Sequence, residues 1–356
     1  MINILLAAGL SLVFTLGGTP LLIRFLVRKK YGQFIREDGP DSHQVKRGTP
    51  TMGGLVIVAA VLLAYFVSHL ILWNPPTLSA LLLLGLMSAM GLLGFLDDWS
   101  KISNERSLGL TARGKLIGQG IVGLGFGWAV LNFPNSRGVT PGSAAISFLR
   151  DLSWLVLPSV VAILFFAFVI SAWSNATNLT DGLDGLLAGC ATLVFAAYTL
   201  ISIWQFNQWC GRASTAGPRC YLVRDPYDLG VVAIALAAAC FGFLWWNAKP
   251  AKIFMGDTGS MAIGASLAGL SIMTHTELLA VVLGALFVME AGSVMLQVGY
   301  FKLTKGKRIF KMSPIHHHFE LKGWDEVTVV IRFWIICGLF VALGIGVFYA
   351  EWVVSQ

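Results

Sequence analysis

The sequence predicts an all-α, polytopic integral membrane protein with about ten transmembrane helices. Three observations lead to this prediction. Of the 356 residues, 56% are hydrophobic and only 12% are charged, about half the charged share of an ordinary soluble domain. The mean hydropathy is +0.75. The apolar residues also lie in runs of about 20, the length that one membrane-crossing helix needs. So little charge excludes a soluble globular enzyme.

The apolar runs divide what we predict to be one transmembrane domain, residues 1–356, into successive spans. Breakers and charged residues set their limits. In chain order, the predicted spans are residues 2–27, 51–73, 78–96, 116–133, 154–173, 183–204, 229–246, 258–273, 278–301 and 327–354. The segment 258–273 is short and rich in glycine. Glycine and alanine within spans favour close packing of helices in lipid.

The distribution of basic residues predicts the orientation of the spans. Alternate connections hold 18 of the 25 Lys and Arg residues, namely 28–50, 97–115, 174–182, 247–257 and 302–326. By the positive-inside rule these connections are cytoplasmic and both termini are extracytoplasmic. The excess of positive charge, +7 for the whole chain, therefore lies on the side where anionic lipid and phosphorylated substrates are found. It does not indicate binding to nucleic acid, because the sequence has no basic nucleic-acid-binding module. Cys210 and Cys220 lie in the same connection on the predicted extracytoplasmic side. They form either a disulfide or two free thiols.

Two acidic segments lie at the predicted cytoplasmic ends of spans. Asp97 and Asp98 are adjacent carboxylates, which repel each other unless a cation or strong donors compensate. The alternative to a functional role is that these two carboxylates only mark the solvated end of the span. In the second segment Asn175, Asn178, Asp181 and Asp184 recur at every third residue and would share one face of a helix. Its connection has no Lys or Arg, which favours function over a polar loop that caps the next helix.

Two further cytoplasmic segments carry candidate ligands. Asp257 precedes the short eighth span and is either a helix cap or a hard oxygen ligand for Mg²⁺. His316–His318 are consecutive and cannot all point the same way, so donation to phosphate is favoured over a zinc site or a plain surface loop. Glu290 and Gln297 lie within the ninth span. An ionisable residue there indicates function, unless it is held in a buried hydrogen bond.

Lysines complete the pattern at the membrane surface. Lys46 and Lys115 lie where cytoplasmic connections re-enter spans. Carboxylates, amides, lysines and histidines on one membrane face indicate metal-assisted phosphoryl transfer, which needs a cation and donors for phosphate charge. Secondary transporters also use carboxylates, but their sites lie near the bilayer midplane, whereas the clusters here lie at one interface.

Five motifs resemble those of the polyprenyl-phosphate N-acetylhexosamine-1-phosphate transferases. They are PTMGG (50–54), FLDDWSK (95–101), NATNLTDGLDG (175–185), IFMGDTGS (253–260) and PIHHHFE (314–320), in the family's order. The histidine triplet favours the muramoyl branch, although Trp99 stands where tyrosine is common. The resemblance implies transfer of phospho-MurNAc-pentapeptide from UDP-MurNAc-pentapeptide to undecaprenyl phosphate, giving lipid I and UMP in peptidoglycan synthesis. The alternative is a sister transferase that moves GlcNAc-1-phosphate.

The resemblance also implies ten transmembrane helices with a cytoplasmic-face active-site cleft, a homodimer, and Mg²⁺ held by Asp257, Asp97 and Asp98. Phe254 would stack on uracil. A phosphate monoester has a second pKa of about 6, so the lipid phosphate hardly needs a base, and we expect Asp97 and Asp98 to act mainly through metal and lysine positioning. The implied catalytic residues are Asp97, Asp98, Asp257, His316, Lys101 and Lys115. The implied substrate-binding residues are Lys46, Thr51, Asn175, Asn178, Asp181, Gly182, Asp184, Asn247, Phe254, Gln297, His317 and His318.

Overall fold

A computed structural model gives the architecture of the chain. It describes residues 1–29, 31–32, 48–104, 109–212, 214, 217 and 219–354. In chain order the elements are α1 (Ile2–Arg28), α2 (Gly54–Ile71), α3 (Leu78–Ser103), α4 (Ala112–Asn132), β1 (Ala145–Ser147), β2 (Asp151–Val156), α5 (Ser159–Thr180), α6 (Leu186–Asn207), α7 (Pro226–Asn247), α8 (Gly256–Met273), α9 (Glu277–Leu283), α10 (Ala285–Leu303), α11 (Ile315–Glu320) and α12 (Glu326–Val354).

Most of the described helices suit a membrane. By length and composition α1 to α7 and α12 could each cross one, which makes eight, or up to nine if the bent pair α9–α10 counts as one span. Helices dominate because each satisfies its own backbone hydrogen bonds in lipid. Threonine caps start two of them: Thr77 accepts from the Ala80 N–H before α3, and Thr111 accepts from the Gly114 N–H before α4. The prediction of an all-α polytopic membrane protein is confirmed.

The predicted span 258–273 forms α8, which lies inside the bundle. Every residue from Thr258 to Met273 is buried. Small residues let neighbouring helices approach it closely. A side-chain carbon at Gly94 of α3 would overlap the Asp257 backbone, and one at Gly264 would overlap the backbone of α5. The ends of α3, α5 and α8 that carry the acidic motifs are therefore brought together.

The structure corrects the limits of several predicted spans. The span 278–301 is not one helix, because α9 and α10 meet at Gly284 with a bend of 85°. The span 154–173 begins too early, since 154–156 belong to β2, which pairs antiparallel with β1. The helix starts at Ser159, directly after Pro158, whose ring fixes φ. Both α3 and α5 continue past their predicted ends, through the acidic motifs, because charge alone does not end a helix.

The connection between α6 and α7 contains a disulfide between Cys210 and Cys220, one of the two states that the sequence left open. Arg150 fixes this connection to the C-terminal helix. Its guanidinium donates to the backbone oxygens of Arg219 and Cys220 and pairs with Glu351 at 2.9 Å. The disulfide segment and α12 are thus held by one side chain.

Candidate active site

Three carboxylates from two helices meet at one end of the bundle. Asp97 and Asp98 lie in the last turns of α3, and Asp257 lies in the first turn of α8. One oxygen from each lies within 4.8 Å of the others. Asp97 and Asp98 are buried, and Asp257 is partly buried. Such a cluster of hard oxygen donors suits a small divalent cation.

Two lysines face the carboxylates. Lys101, one turn beyond Asp97 on α3, has its Nζ 2.7 Å from Asp97 Oδ2 and 3.2 Å from Asp257 Oδ2. Lys115, in the first turns of α4, donates to Asp257 Oδ2 at 2.5 Å. Burial alone would raise the pKa of Asp257, but these two ammonium groups hold it below its usual range. Three carboxylates and two lysines leave a net negative charge in the cluster, which a cation can neutralise. The lysines can also donate hydrogen bonds to phosphate.

Asp97 and Asp98 differ in how their oxygens are used. Asp98 accepts hydrogen bonds from the backbone N–H groups of Asp257 (3.1 Å) and Thr258 (3.0 Å) and from the Thr258 hydroxyl (2.8 Å). It therefore caps the N-terminus of α8 from another helix. Asp97 accepts one backbone hydrogen bond, from the Leu110 N–H at 2.9 Å. Asp98 thus positions Asp257, while Asp97 keeps more of its oxygen surface for a ligand.

The asparagines at the end of α5 also differ. Asn178 donates to Asp257 Oδ1 at 2.8 Å and to the Ser260 hydroxyl at 2.9 Å. Asn175 donates to Gln119 of α4 and to the Ser171 backbone oxygen. One helical turn before Asn178, the Asn175 amide lies in the packing of α4 against α5, and its role in substrate binding stays a prediction. Asn178 orients the central carboxylate.

The loop after α5 brings Asp181 to the cluster. Burial, with the negative charges of Asp257 and Asp98, raises the pKa of Asp181 to about 8. Asp184 is buried, and its Oδ2 accepts from the Ala251 N–H. Asn247, at the end of α7, joins the loop after α5 to the loop before α8. Its side-chain amide accepts from the Gly185 N–H and donates to the Ile253 backbone oxygen. Hydrogen bonds to backbone thus hold Asp184 and Asn247 in place, and their role in substrate binding stays a prediction.

The first motif pairs with the Asp257 motif through backbone hydrogen bonds. Phe254 donates from its N–H to the Pro50 oxygen and accepts from the Gly53 N–H, at 2.8 and 2.9 Å. The side chain of Thr51 is buried beside Gly256, whose φ of +72° favours glycine. Phe254 is half-buried. Lys46 lies outside the described residues.

The three histidines have separate environments, as the sequence predicted. His316 is fully buried, and its Nδ1 lies 3.0 Å from Glu290 Oε2. His317 Nδ1 lies 2.7 Å from Glu320, on the same short helix. His318 Nδ1 accepts from the Lys311 N–H at 3.0 Å, and the positive charges of Lys322 and Lys311 add to the effect of desolvation in lowering its pKa. Of the three, His316 is the one paired with a carboxylate from a membrane helix.

Gln297 is hydrogen-bonded to the backbone of the connection that follows α10. Its Oε1 accepts from the N–H groups of Ile309 and Phe310, and its Nε2 donates to the Phe310 oxygen, all within 3.1 Å. The side chain therefore holds the connection between α10 and α11, and its role in substrate binding stays a prediction. Sequence reasoning missed Gln119, which accepts from Asn175, and Glu326, which accepts from the Asp184 N–H, since a partner far along the chain leaves no periodic signal. Glu290 could be found, because an ionisable residue within a span stands out.

The fold and the site define a membrane-embedded phosphotransferase, in which carboxylates for a divalent cation and lysines for phosphate meet at the end of a helical bundle. Comparison with known proteins agrees. The glycosyl transferase family 4 profile matches residues 80–275, and signature 1 of phospho-N-acetylmuramoyl-pentapeptide-transferase matches residues 46–58. The chain belongs to the phospho-N-acetylmuramoyl-pentapeptide-transferase family.

Relatives of that name match along the whole chain. The protein of Cutibacterium acnes is 63% identical over 356 residues, which is 100% of both chains. That of an Arthrobacter species is 60% identical, covering 99% of this chain and 100% of the relative. That of Streptomyces avermitilis is 56% identical, covering 100% of both. The similarity therefore includes every segment of the site described above.

Proposed function

We propose that this protein transfers phospho-MurNAc-pentapeptide from UDP-MurNAc-pentapeptide to undecaprenyl phosphate, giving lipid I and UMP. One observation carries the proposal: Asp97, Asp257, Lys101 and Lys115 converge in a chain 63% identical, from end to end, to a phospho-N-acetylmuramoyl-pentapeptide-transferase. The carboxylates suit a cation and the lysines suit phosphate, which together are the requirements of phosphoryl transfer.

The cation would be Mg²⁺, held mainly by Asp257 and Asp97. Their oxygens fit a hard ion that prefers carboxylates and keeps its other positions for water and phosphate. Asp98 belongs to the same cluster, but its hydrogen bonds to the first turn of α8 assign it to positioning. When bound, Mg²⁺ neutralises negative charge on the diphosphate oxygens. Asn178 supports the site by fixing the second oxygen of Asp257.

The lysines orient the reacting phosphates. Lys101 and Lys115 would exchange part of their contact with Asp257 for phosphate oxygens of the two substrates. A lipid phosphate oxygen then attacks the sugar-linked phosphorus of the diphosphate, whose bond to the uridine phosphate breaks, and UMP leaves. The attacking monoester is mostly a dianion at pH 7, so Asp97 has little need to remove a proton. The residues accelerate the step by position and charge.

The uridine end would lie beside Asp181, Gly182, Phe254 and Thr51. Phe254 is held through its backbone, which leaves a half-buried ring that can stack on uracil. Lys46, His317 and His318 remain proposed contacts to the donor. The assembly would be a homodimer of single-domain chains, with the site cytoplasmic and both termini extracytoplasmic, as the excess of Lys and Arg in alternate connections favours.

A UMP-release assay tests the function. Purified protein in detergent receives undecaprenyl phosphate, Mg²⁺ and either UDP-MurNAc-pentapeptide or UDP-GlcNAc. We expect UMP from the first donor only, none after chelation of the metal, and none from the Asp257→Asn variant. Release from UDP-GlcNAc alone would assign the sister reaction, and release from neither donor would refute the proposal.

A further inference from the structure

Glu290 and His316 form a buried pair that the mechanism above does not use. Glu290 lies in α10 and His316 in α11, and both side chains are 0% exposed. The Oε2–Nδ1 distance is 3.0 Å. A carboxylate inside a membrane bundle is unfavourable unless a partner compensates, and such residues concentrate at functional positions. With Nδ1 at the carboxylate, only Nε2 of the ring remains for another group.

The second ring nitrogen lies against the loop that carries Asp181. Within the described part of the chain, His316 Nε2 is buried and has no hydrogen-bond partner. It lies against Gly182, because a side-chain carbon at that position would overlap Nε2 and come within 2.8 Å of Cε1. The preceding residue is Asp181, whose carboxylate accepts from the Gly256 N–H next to Asp257. Glycine at 182 therefore lets the ring reach the edge of the carboxylate cluster.

We propose that Glu290 is a positioning residue for the transfer reaction: it accepts the hydrogen bond from His316 Nδ1 and reserves Nε2 for a phosphate group of the substrates. The inference rests on the proposed function. A carboxylate at Nδ1 fixes the tautomer and orientation of an imidazole, with Nδ1 as the donor. When the ring carries both protons, Nε2–H donates to a phosphate oxygen with no rotation of the ring, so the donor is in place before the transfer step.

The first test removes the charge and keeps the shape. In Glu290→Gln the amide oxygen can still accept from Nδ1, but the negative charge beside the ring is lost. We expect kcat to fall about 100-fold, the size of a positioned acid–base contribution, while KM for UDP-MurNAc-pentapeptide changes less than about threefold. Glu277→Gln is the matched control, because Glu277 is a buried carboxylate (4% exposed) in the adjoining helix α9. Its kcat should stay within about twofold of the parent protein.

The second test asks whether Glu290 acts through His316. If it does, Glu290→Gln lowers kcat no further in a His316→Gln background, because residues that act as a unit are not additive. An equal fall in both backgrounds, or full kcat in the single variant, overturns the inference. If Glu290→Gln does not fold, Glu290→Asp, which keeps the charge, takes its place, and a kcat unaffected by that shortening overturns the inference as well. A parent protein that releases no UMP refutes the proposed function, whereas an active parent matched by Glu290→Gln refutes this inference alone.

Discussion

Replacing Asp98 by asparagine separates positioning from ligand binding within the carboxylate cluster. In the parent protein, one oxygen of Asp98 accepts from the Asp257 N–H and the other from the N–H and hydroxyl of Thr258. Asparagine offers one oxygen and one NH₂ group. Whichever way the amide turns, a donor faces a backbone N–H at the start of α8. The variant therefore loses a hydrogen bond that has no replacement, and also the negative charge at the helix N-terminus.

The size of the effect follows from these contacts. A hydrogen bond to a charged group contributes about 1.5–3 kcal/mol, and a buried donor left unsatisfied costs about 1–3 kcal/mol. The lost charge at the helix N-terminus adds roughly 0.3–1 kcal/mol. Because these terms overlap, we expect Asp98→Asn to lower the free energy of unfolding by about 2–4 kcal/mol. Asp97→Asn loses the ion pair with Lys101, but it keeps an oxygen for the Leu110 N–H and leaves Lys101 paired with Asp257, so it should lose less, about 1 kcal/mol.

The assay compares both variants in the same detergent. Thermal unfolding is followed by circular dichroism, and turnover is followed by UMP release. Both variants should lose turnover, since one displaces Asp257 and the other removes a proposed Mg²⁺ ligand. Only Asp98→Asn should unfold at a clearly lower temperature. Unfolding of Asp98→Asn at the parent's temperature, or an equal loss of stability in Asp97→Asn, would refute the division of roles.

Three further predictions concern neighbouring residues. Lys115→Gln removes a cation from Asp257, so kcat should fall at least about 10-fold while the Mg²⁺ concentration for half-maximal activity also falls, measured by metal titration. Gly256→Ala introduces a carbon 2.6 Å from Asp98 Oδ2 at a φ of +72°, so both the melting temperature and turnover should drop, unlike in Gly292→Ala, where the space is open. The pKa of Asp181 is raised to about 8, so its ionisation destabilises the fold progressively from about pH 4 to pH 8. Asp181→Asn should therefore raise the melting temperature in metal-free buffer at pH 8.5, with no gain near pH 4, and equal gains at both pH values would contradict this reasoning.

The sequence predicted the meeting of Asp97, Asp98 and Asp257 because the predicted topology puts the connections that carry them on the same side of the membrane. It also predicted that the three histidines diverge, which follows from backbone geometry alone. Hydropathy placed the helices, since a run of about 20 apolar residues has few other stable conformations in lipid.

Other features depend on partners that are distant in sequence. Spacing could not show that Asp98 caps α8, because Thr258 is 160 positions away along the chain. The same limit applies to Asn175 and Gln297, whose amides find partners on α4 and on the connection to α11. The bend at Gly284 was missed because hydropathy does not indicate the direction of a helix axis. The β1–β2 hairpin was missed because its last residues are as apolar as the start of a span.

The contact between α3 and α8 restricts how substrates can enter. At Gly94 the two backbones touch, and at Asp98 the first turn of one helix is hydrogen-bonded to the other. We therefore expect these two helices to move together and to keep Asp97 close to Asp257. An opening that admits a lipid headgroup is then expected at other elements, such as α4, which brings Lys115, or α11, which brings His316. We expect a compound that binds between either of those elements and the α3–α8 contact to block substrate entry without contacting the carboxylates.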